Sequence, residues 1–156
     1  MIKTTGEFQA VFGAIMQNAI EEVIEKAFDA LKSEVESVVY DKGGSDWYER
    51  SNTFLDQWYT ETTNAKGRVR GAMIKNNTSL MANDPSDFVH GSNVAPQWRD
   101  FRSKLTEAIF NGYQVFNSGY HVEARNAWSS FEEKVNEEKI GAWFKAAMRR
   151  QGVTIG

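Results

Sequence analysis

The chain has 156 residues, about one domain's length, with 41% hydrophobic and 25% charged residues, proportions that argue against disordered, collagen-like and coiled-coil classes. There is no cysteine, hence no disulfide framework, thiolate metal cluster or cysteine nucleophile, and His90 and His121 alone leave little for a histidine-based metal site. Eighteen Lys and Arg against 21 Asp and Glu give a net charge of −3, which excludes a globally basic nucleic-acid binder. The opening Met1-Ile2-Lys3-Thr4-Thr5-Gly6 lacks a signal-peptide-like apolar run, and no stretch is long enough to span a bilayer, so the expectation is a soluble protein made inside the cell, with no membrane partner.

Residues 1–40 read as one long amphipathic helix. Phe8, Phe12, Ile15, Ala19, Val23, Ala27, Leu31, Val35 and Val38 recur at spacings of three and four and so lie along one side. Thr5 or Thr4 caps the start, with Glu7 near the positive end of the dipole. Gly13 is the one weak link, costing about 1 kcal/mol relative to alanine. Some 32 helical residues span roughly 48 Å, whereas a compact domain of this length is about 40 Å across. Ile20 and Ile24 widen the apolar side further. Either the rod bends or breaks near Gly13, or a neighbouring chain covers what its own body cannot.

Val38-Val39-Tyr40 reads as the start of a short strand, followed by a loop at Asp41 to Asp46. Trp47 to Trp58 reads as a short, capped, aromatic-rich turn of helix. β-Formers from Trp58 to Thr63, a loop at Asn64-Ala65-Lys66-Gly67 and a second run from Arg68 to Lys75 predict a β-hairpin. Asn76-Asn77-Thr78 reads as loop, and residues 82–96 as a long connection with a short strand near Phe88-Val89-His90. Trp98, Phe101, Leu105, Ala108 and Ile109 share a helical face ended by Asn111-Gly112. A loop through Phe116, Gly119 and Tyr120 precedes a helix from Glu123 to Lys139, and Ile140 to Arg150 continues or restarts it until Gly152. The reading is one α+β domain over residues 1–156: the long helix at 1–40, a small antiparallel sheet with its hairpin at 47–96, and C-terminal helices at 97–151.

Chemistry is sparse. Phosphate-binding loops, the dinucleotide glycine fingerprint and the G-x-S-x-G elbow are all absent. His90 near Asp84 and Asp87, and His121 near Glu123, read as solvated loop histidines. The clusters Glu21-Glu22-Glu25 and Glu132-Glu133-Glu137-Glu138 read as solvated helix faces. The expectation is therefore no catalytic residue, no metal, no cofactor and no small-molecule substrate. Charge is nevertheless uneven: residues 1–40 hold three basic and seven acidic side chains, whereas residues 64–77 hold Lys66, Arg68, Arg70 and Lys75 and no acid. A basic hairpin tip can touch a phosphate backbone without reading sequence; it can equally be an exposed edge kept soluble by charge. Five Trp, five Tyr and ten Phe are generous for this length and favour contact with other chains.

The stretch Tyr48-Glu49-Arg50-Ser51-Asn52-Thr53-Phe54-Leu55-Asp56-Gln57-Trp58, after a long amphipathic helix and before a hairpin, resembles the small tailed-bacteriophage proteins of the neck and tail-completion group. Members often carry a tyrosine, then Arg-Ser/Thr, then a leucine a few residues on. Asn126-Ala127-Trp128-Ser129-Ser130-Phe131-Glu132-Glu133-Lys134-Val135, leading into a charged terminal helix, is similar to that group's C-terminal part. Where many members have Glu-Phe-Gly and Pro-Phe-Leu, this chain has His90-Gly91-Ser92 and Ala127-Trp128-Ser129. The resemblance implies a non-enzymatic virion protein, made in the host bacterial cytoplasm. It would form a homo-oligomeric ring at the head–tail junction, contacting other neck, connector or tail proteins around a channel for double-stranded DNA. In that setting Phe8, Phe12, Ile15, Ala19 and Val23 are the expected subunit contacts. Lys66, Arg68 and Arg70 are expected to face the channel or an acidic partner ring. The competing expectation is a small nucleic-acid-associated or regulatory module using the same basic hairpin.

Overall fold

Thr4, Thr5, Gly6 and Glu7 spell a capping box, and it forms. The Glu7 N–H donates to Thr4 Oγ1 at 3.1 Å and the Thr4 N–H to Glu7 Oε2 at 3.2 Å, so two amides that the first helical turn cannot satisfy are paired reciprocally. Helix α1 (Thr5–Val35) follows and runs unbroken through Gly13. The computed structural model describes residues 4–40, 53–65, 69–80, 106–107, 109–115 and 120–155. Over these the chain is mixed helix and strand, with a long N-terminal helix, a two-stranded hairpin and C-terminal helices.

At its C-terminal end α1 becomes a π-helical turn, Glu36–Tyr40, not the strand expected from Val38-Val39-Tyr40. The β-propensity of these residues is a weak preference. Continuing the helix with one extra residue in the turn places Val39 inside, 5% exposed, while Val38 is only half-buried. Strand β1 (Trp58–Ala65) pairs with β2 (Val69–Asn76) as the expected hairpin, with Thr63 Oγ1 donating to the Gly71 carbonyl at 3.3 Å. Before it, Thr53–Leu55 forms a single 3-10 turn, and Trp58 belongs to the strand rather than to a helical segment. Residues 106–107 and 109–111 are helical, and Gly112, at φ 73°, ends the segment as expected.

The loop expected through Phe116 to Tyr120 is instead flanked by strands: β3 (Tyr113–Val115) and β4 (Tyr120–Val122) pair antiparallel, with Gln114 opposite His121. The single helix expected from Glu123 to Lys139 is also corrected. Residues 123–126 have no regular secondary structure, α2 spans Ala127–Lys134, and α3 spans Glu137–Arg150. Asn136 divides the two helices because its Oδ1 accepts the Lys139 N–H at 3.0 Å, an N-cap with Glu137 and Glu138 in the first turn beyond it. Gly152 at φ 82° closes α3 in a Schellman motif, its N–H reaching the Arg149 carbonyl and the Val153 N–H that of Met148, each at 3.0 Å. The readings at Trp47 to Asn52, at Phe88 to His90 and at Trp98 to Leu105 fall outside the described residues.

Two compact units divide the chain. The first comprises Met1–Ala30, Thr60–Lys75 and Glu133–Gly156. Its core is Ala19 and Ala147, both fully covered, with Met148 at 1% exposure, and Phe12, Ile15, Met16, Phe144, Val153 and Ile155 pack around them. Two small residues let α1 and α3 approach closely, and Met148 fills the space beside them. Gln151 secures the junction by donating to the Ile15 carbonyl at 3.2 Å.

Glu22, read from sequence as part of a solvated face, bonds Lys26 on its own helix at 2.8 Å and Arg150 on α3. Its pKa lies below the usual 4.5, first through the Lys26 bond and then through Arg150. A carboxylate with a lowered folded pKa contributes stability above its unfolded pKa and loses it as pH falls through the folded value. Glu22→Gln is therefore expected to be slightly destabilising at neutral pH and neutral well below pH 4.5, a difference that urea titrations at both ends of that range measure. The effect is small because water screens the exposed pair.

The second unit comprises Leu31–Tyr59 and Asn76–Glu132. Leu31, Val35 and Val39 extend the buried stripe of α1 here, and Phe54, Trp58, Ala127 and Phe131 are buried with them in this unit. The aromatic rings form a stack: Trp58 lies near-parallel to Phe110 (6.2 Å, 18°) and to Trp128 (5.9 Å, 11°), with Phe54 edge-on to Trp58 and Phe110. Two polar contacts fix the C-terminal end of α1 within this unit. Arg125 donates to the Val39 carbonyl at 2.9 Å, and Ser130 Oγ donates to Glu34 Oε2 at 2.6 Å. Glu34 is thus a buried, hydrogen-bonded carboxylate rather than a member of an acidic outer face.

Candidate assembly surface

Residues 4–11 of the first unit are all exposed, although the apolar pattern of α1 begins at Phe8. Phe8 is 51% and Val11 48% exposed. The Phe8 ring stacks on Phe12 at 5.5 Å and 8°, so one turn of the helix holds the next in a fixed rotamer. Phe12 and Ile15 are half-buried against the Ala19–Ala147–Met148 cluster. The apolar stripe therefore passes from uncovered to covered between Phe8 and Ala19. The cause is the C-terminal tail of the chain, which through Gln151, Val153 and Ile155 reaches the level of Ile15 on α1.

Of the five expected subunit contacts, Phe8 is open, Phe12, Ile15 and Val23 are half-buried, and Ala19 is fully covered. Ala19 leaves the set, because Ala147 and Met148 of its own chain already occupy its surroundings. Val11 joins it. Its place three residues after Phe8 and four before Ile15 puts it on the same face, a spacing readable in the sequence.

The basic hairpin is only partly placed. Lys66 and Arg68 lie outside the described residues, and Arg70 sits in β2 with its side chain outside them. Lys75 pairs across the hairpin with Glu61, so the acid-free character of residues 64–77 is reduced at its base by a neighbour on β1. At the end of α3, Arg150 is likewise engaged with Glu22, while Lys145 and Arg149 are exposed.

Among the described residues no three His, Cys, Asp or Glu side chains gather as a metal site, and no helix is long and apolar enough to cross a membrane. The fold and this surface define a mixed α/β chain whose most distinctive feature is an uncovered apolar helix start. No protein-family model matches the chain, and no curated protein or solved structure is significantly similar to it.

Proposed function

We propose that this chain is a non-enzymatic structural subunit of a tailed-phage virion, acting in a homo-oligomeric ring at the head–tail junction. The sequence resemblance at Tyr48 to Trp58 and at Asn126 to Val135 supplies the setting. The observation that carries self-association is the pair Phe8 and Val11, half uncovered on the same side of α1. Fully burying such a side chain is worth about 1.5–3 kcal/mol; with half of each already covered, roughly 1 kcal/mol each remains to be gained in a neighbour, and the face repeats around a closed ring. Lys66, Arg68 and Arg70 then serve the channel or an adjoining acidic ring.

Native mass spectrometry and light scattering of the purified chain test this, beside Phe8→Glu/Val11→Glu. The wild type is expected to populate a discrete closed oligomer, and the variant to be monomeric. Its unfolding free energy should stay within about 0.5 kcal/mol, as for surface substitutions. A wild type that stays monomeric at the highest soluble concentration, or a variant that assembles undiminished, overturns the reading. The virion setting has its own check: the gene is expected between a portal and capsid block and a tail-tube gene.

A further inference from the structure

A cavity of about 510 Å³ opens in the second unit, and asparagine is the commonest residue among its described lining. That volume falls in the range of small-molecule sites. The amides are not randomly turned. Asn77 Oδ1 accepts the Ser79 N–H and Asn126 Oδ1 the Ser129 N–H, each at 3.0 Å, which leaves the two Nδ2 groups as donors. Asn76 is turned the other way: its Nδ2 donates to Thr106 Oγ1 at 3.3 Å, leaving Oδ1 as an acceptor. Thr106 in turn donates to Gln57 Oε1 at 2.7 Å, and the fully buried Gln57 donates to the Phe54 carbonyl at 2.9 Å. This relay anchors one wall in the interior and fixes the direction of each hydrogen bond along it. Asn111 and the Glu107 carboxylate add an uncommitted amide and an acceptor.

The remaining wall is aromatic. Phe110 and Trp128 line the cavity, and both are held by stacking on Trp58. The Trp128 Nε1–H is already directed to Glu132 at 2.7 Å, so the indole offers the site ring surface rather than a donor.

We propose that this cavity binds a neutral polyhydroxylated molecule, a saccharide. Each sugar hydroxyl both donates and accepts, which matches a lining that holds oriented amide donors (Asn77, Asn126), an oriented amide acceptor (Asn76) and the Glu107 carboxylate. The C–H face of a pyranose ring suits the aromatic side. Other classes fit worse. Among the described lining residues Glu107 is the one that carries a charge, and it is acidic, so phosphates and nucleic acids meet a repulsive carboxylate there. An apolar ligand would strand several amides without partners, at a cost of about 1–3 kcal/mol each. Among the described lining residues a metal ion would find a single carboxylate and no histidine.

Saturation-transfer NMR on the intact chain with maltose, cellobiose, lactose and diacetylchitobiose, and with AMP as an anionic control, tests the proposal. At least one disaccharide is expected to receive saturation on its ring protons and to shift the Trp128 indole and the Asn111 and Asn126 side-chain amides. Asn111→Ala/Glu107→Ala is expected to weaken that binding at least about tenfold, the equivalent of one or two lost hydrogen bonds. Neither side chain bonds another of the described residues, so far-UV circular dichroism should be unchanged. No transfer to any of the four sugars, undiminished transfer in the double variant, or preference for AMP would each overturn the assignment. None of these outcomes bears on self-association through Phe8 and Val11, which the double variant leaves intact.

Discussion

Met148→Ala is expected to lower stability by about 2–5 kcal/mol, the cost of truncating a fully buried methionine and leaving a cavity. Met148 is 1% exposed and sits beside Ala19 and Ala147, both with no exposed surface. Ala19 and Ala147 cannot reach into the space, and the cost within that interval is set by how far the partly buried Phe12, Met16 and Phe144 around the cluster move into it. For a chain of this size the melting temperature should fall by roughly 4–20 °C, read by calorimetry. The same residue also carries the carbonyl that receives the Val153 N–H at the end of α3, but that bond is backbone and survives. Met148→Leu separates the two roles of volume and chemistry: a volume-conserving exchange should cost less than about 1.5 kcal/mol. If leucine is as damaging as alanine, close packing between α1 and α3 is not what holds the first unit.

Gln57 supplies the second large effect, in the other unit. Its side chain is fully buried, donates to the Phe54 carbonyl and accepts from Thr106. Gln57→Ala leaves that carbonyl without its partner and opens space beneath Thr106, for a loss of about 2–4 kcal/mol. Gln57→Glu is more informative because it makes the loss depend on pH. A protonated carboxyl can still donate to Phe54, whereas a carboxylate faces that carbonyl as a second acceptor in a buried site. Burial raises the folded pKa of the new group above the ordinary value of about 4.3. Its neutral form is therefore stabilising below the unfolded pKa, and that contribution is lost as pH rises through the folded one. Measured as the difference from wild type at each pH in urea, Gln57→Glu should be mild near pH 4 and severe at pH 7. Glu22→Gln has the opposite sign. Equal destabilisation of Gln57→Glu at both pH values would show that the Phe54 contact contributes nothing.

Much of the local structure was legible because its causes are local. The Thr4 and Glu7 capping box and the glycine stops at Gly112 and Gly152 each depend on residues within a few positions of one another. The readings that failed depended on something remote. Val38-Val39-Tyr40 has strand composition, yet Val39 is held in a π-turn with its carbonyl bonded to Arg125, far along the chain. Strands β3 and β4 have three residues each, too few for alternation to register. The division at Asn136 was readable, since an asparagine followed by two glutamates marks a helix start, but the apolar pattern running across it at Val135 masked the break.

The two sites differ in the same way. The helix start shows in sequence as a stripe, and its periodicity names the residues that share a face without saying how far along the cover extends. That limit came from the C-terminal tail, whose Gln151, Val153 and Ile155 reach α1 near Ile15 and make Ala19 an interior residue while Phe8 stays open. The asparagine-lined cavity left no pattern at all, because the adjacent pair Asn76 and Asn77, Asn111 and Asn126 come from three separate segments. Sequence alone determined the long first helix, the β1–β2 hairpin pairing and the glycine stops, through short-range hydrogen bonding and side-chain period. Tertiary structure decided which of two chemically equivalent apolar residues is covered and which dispersed polar groups share one wall, because both follow from contacts between segments distant along the chain.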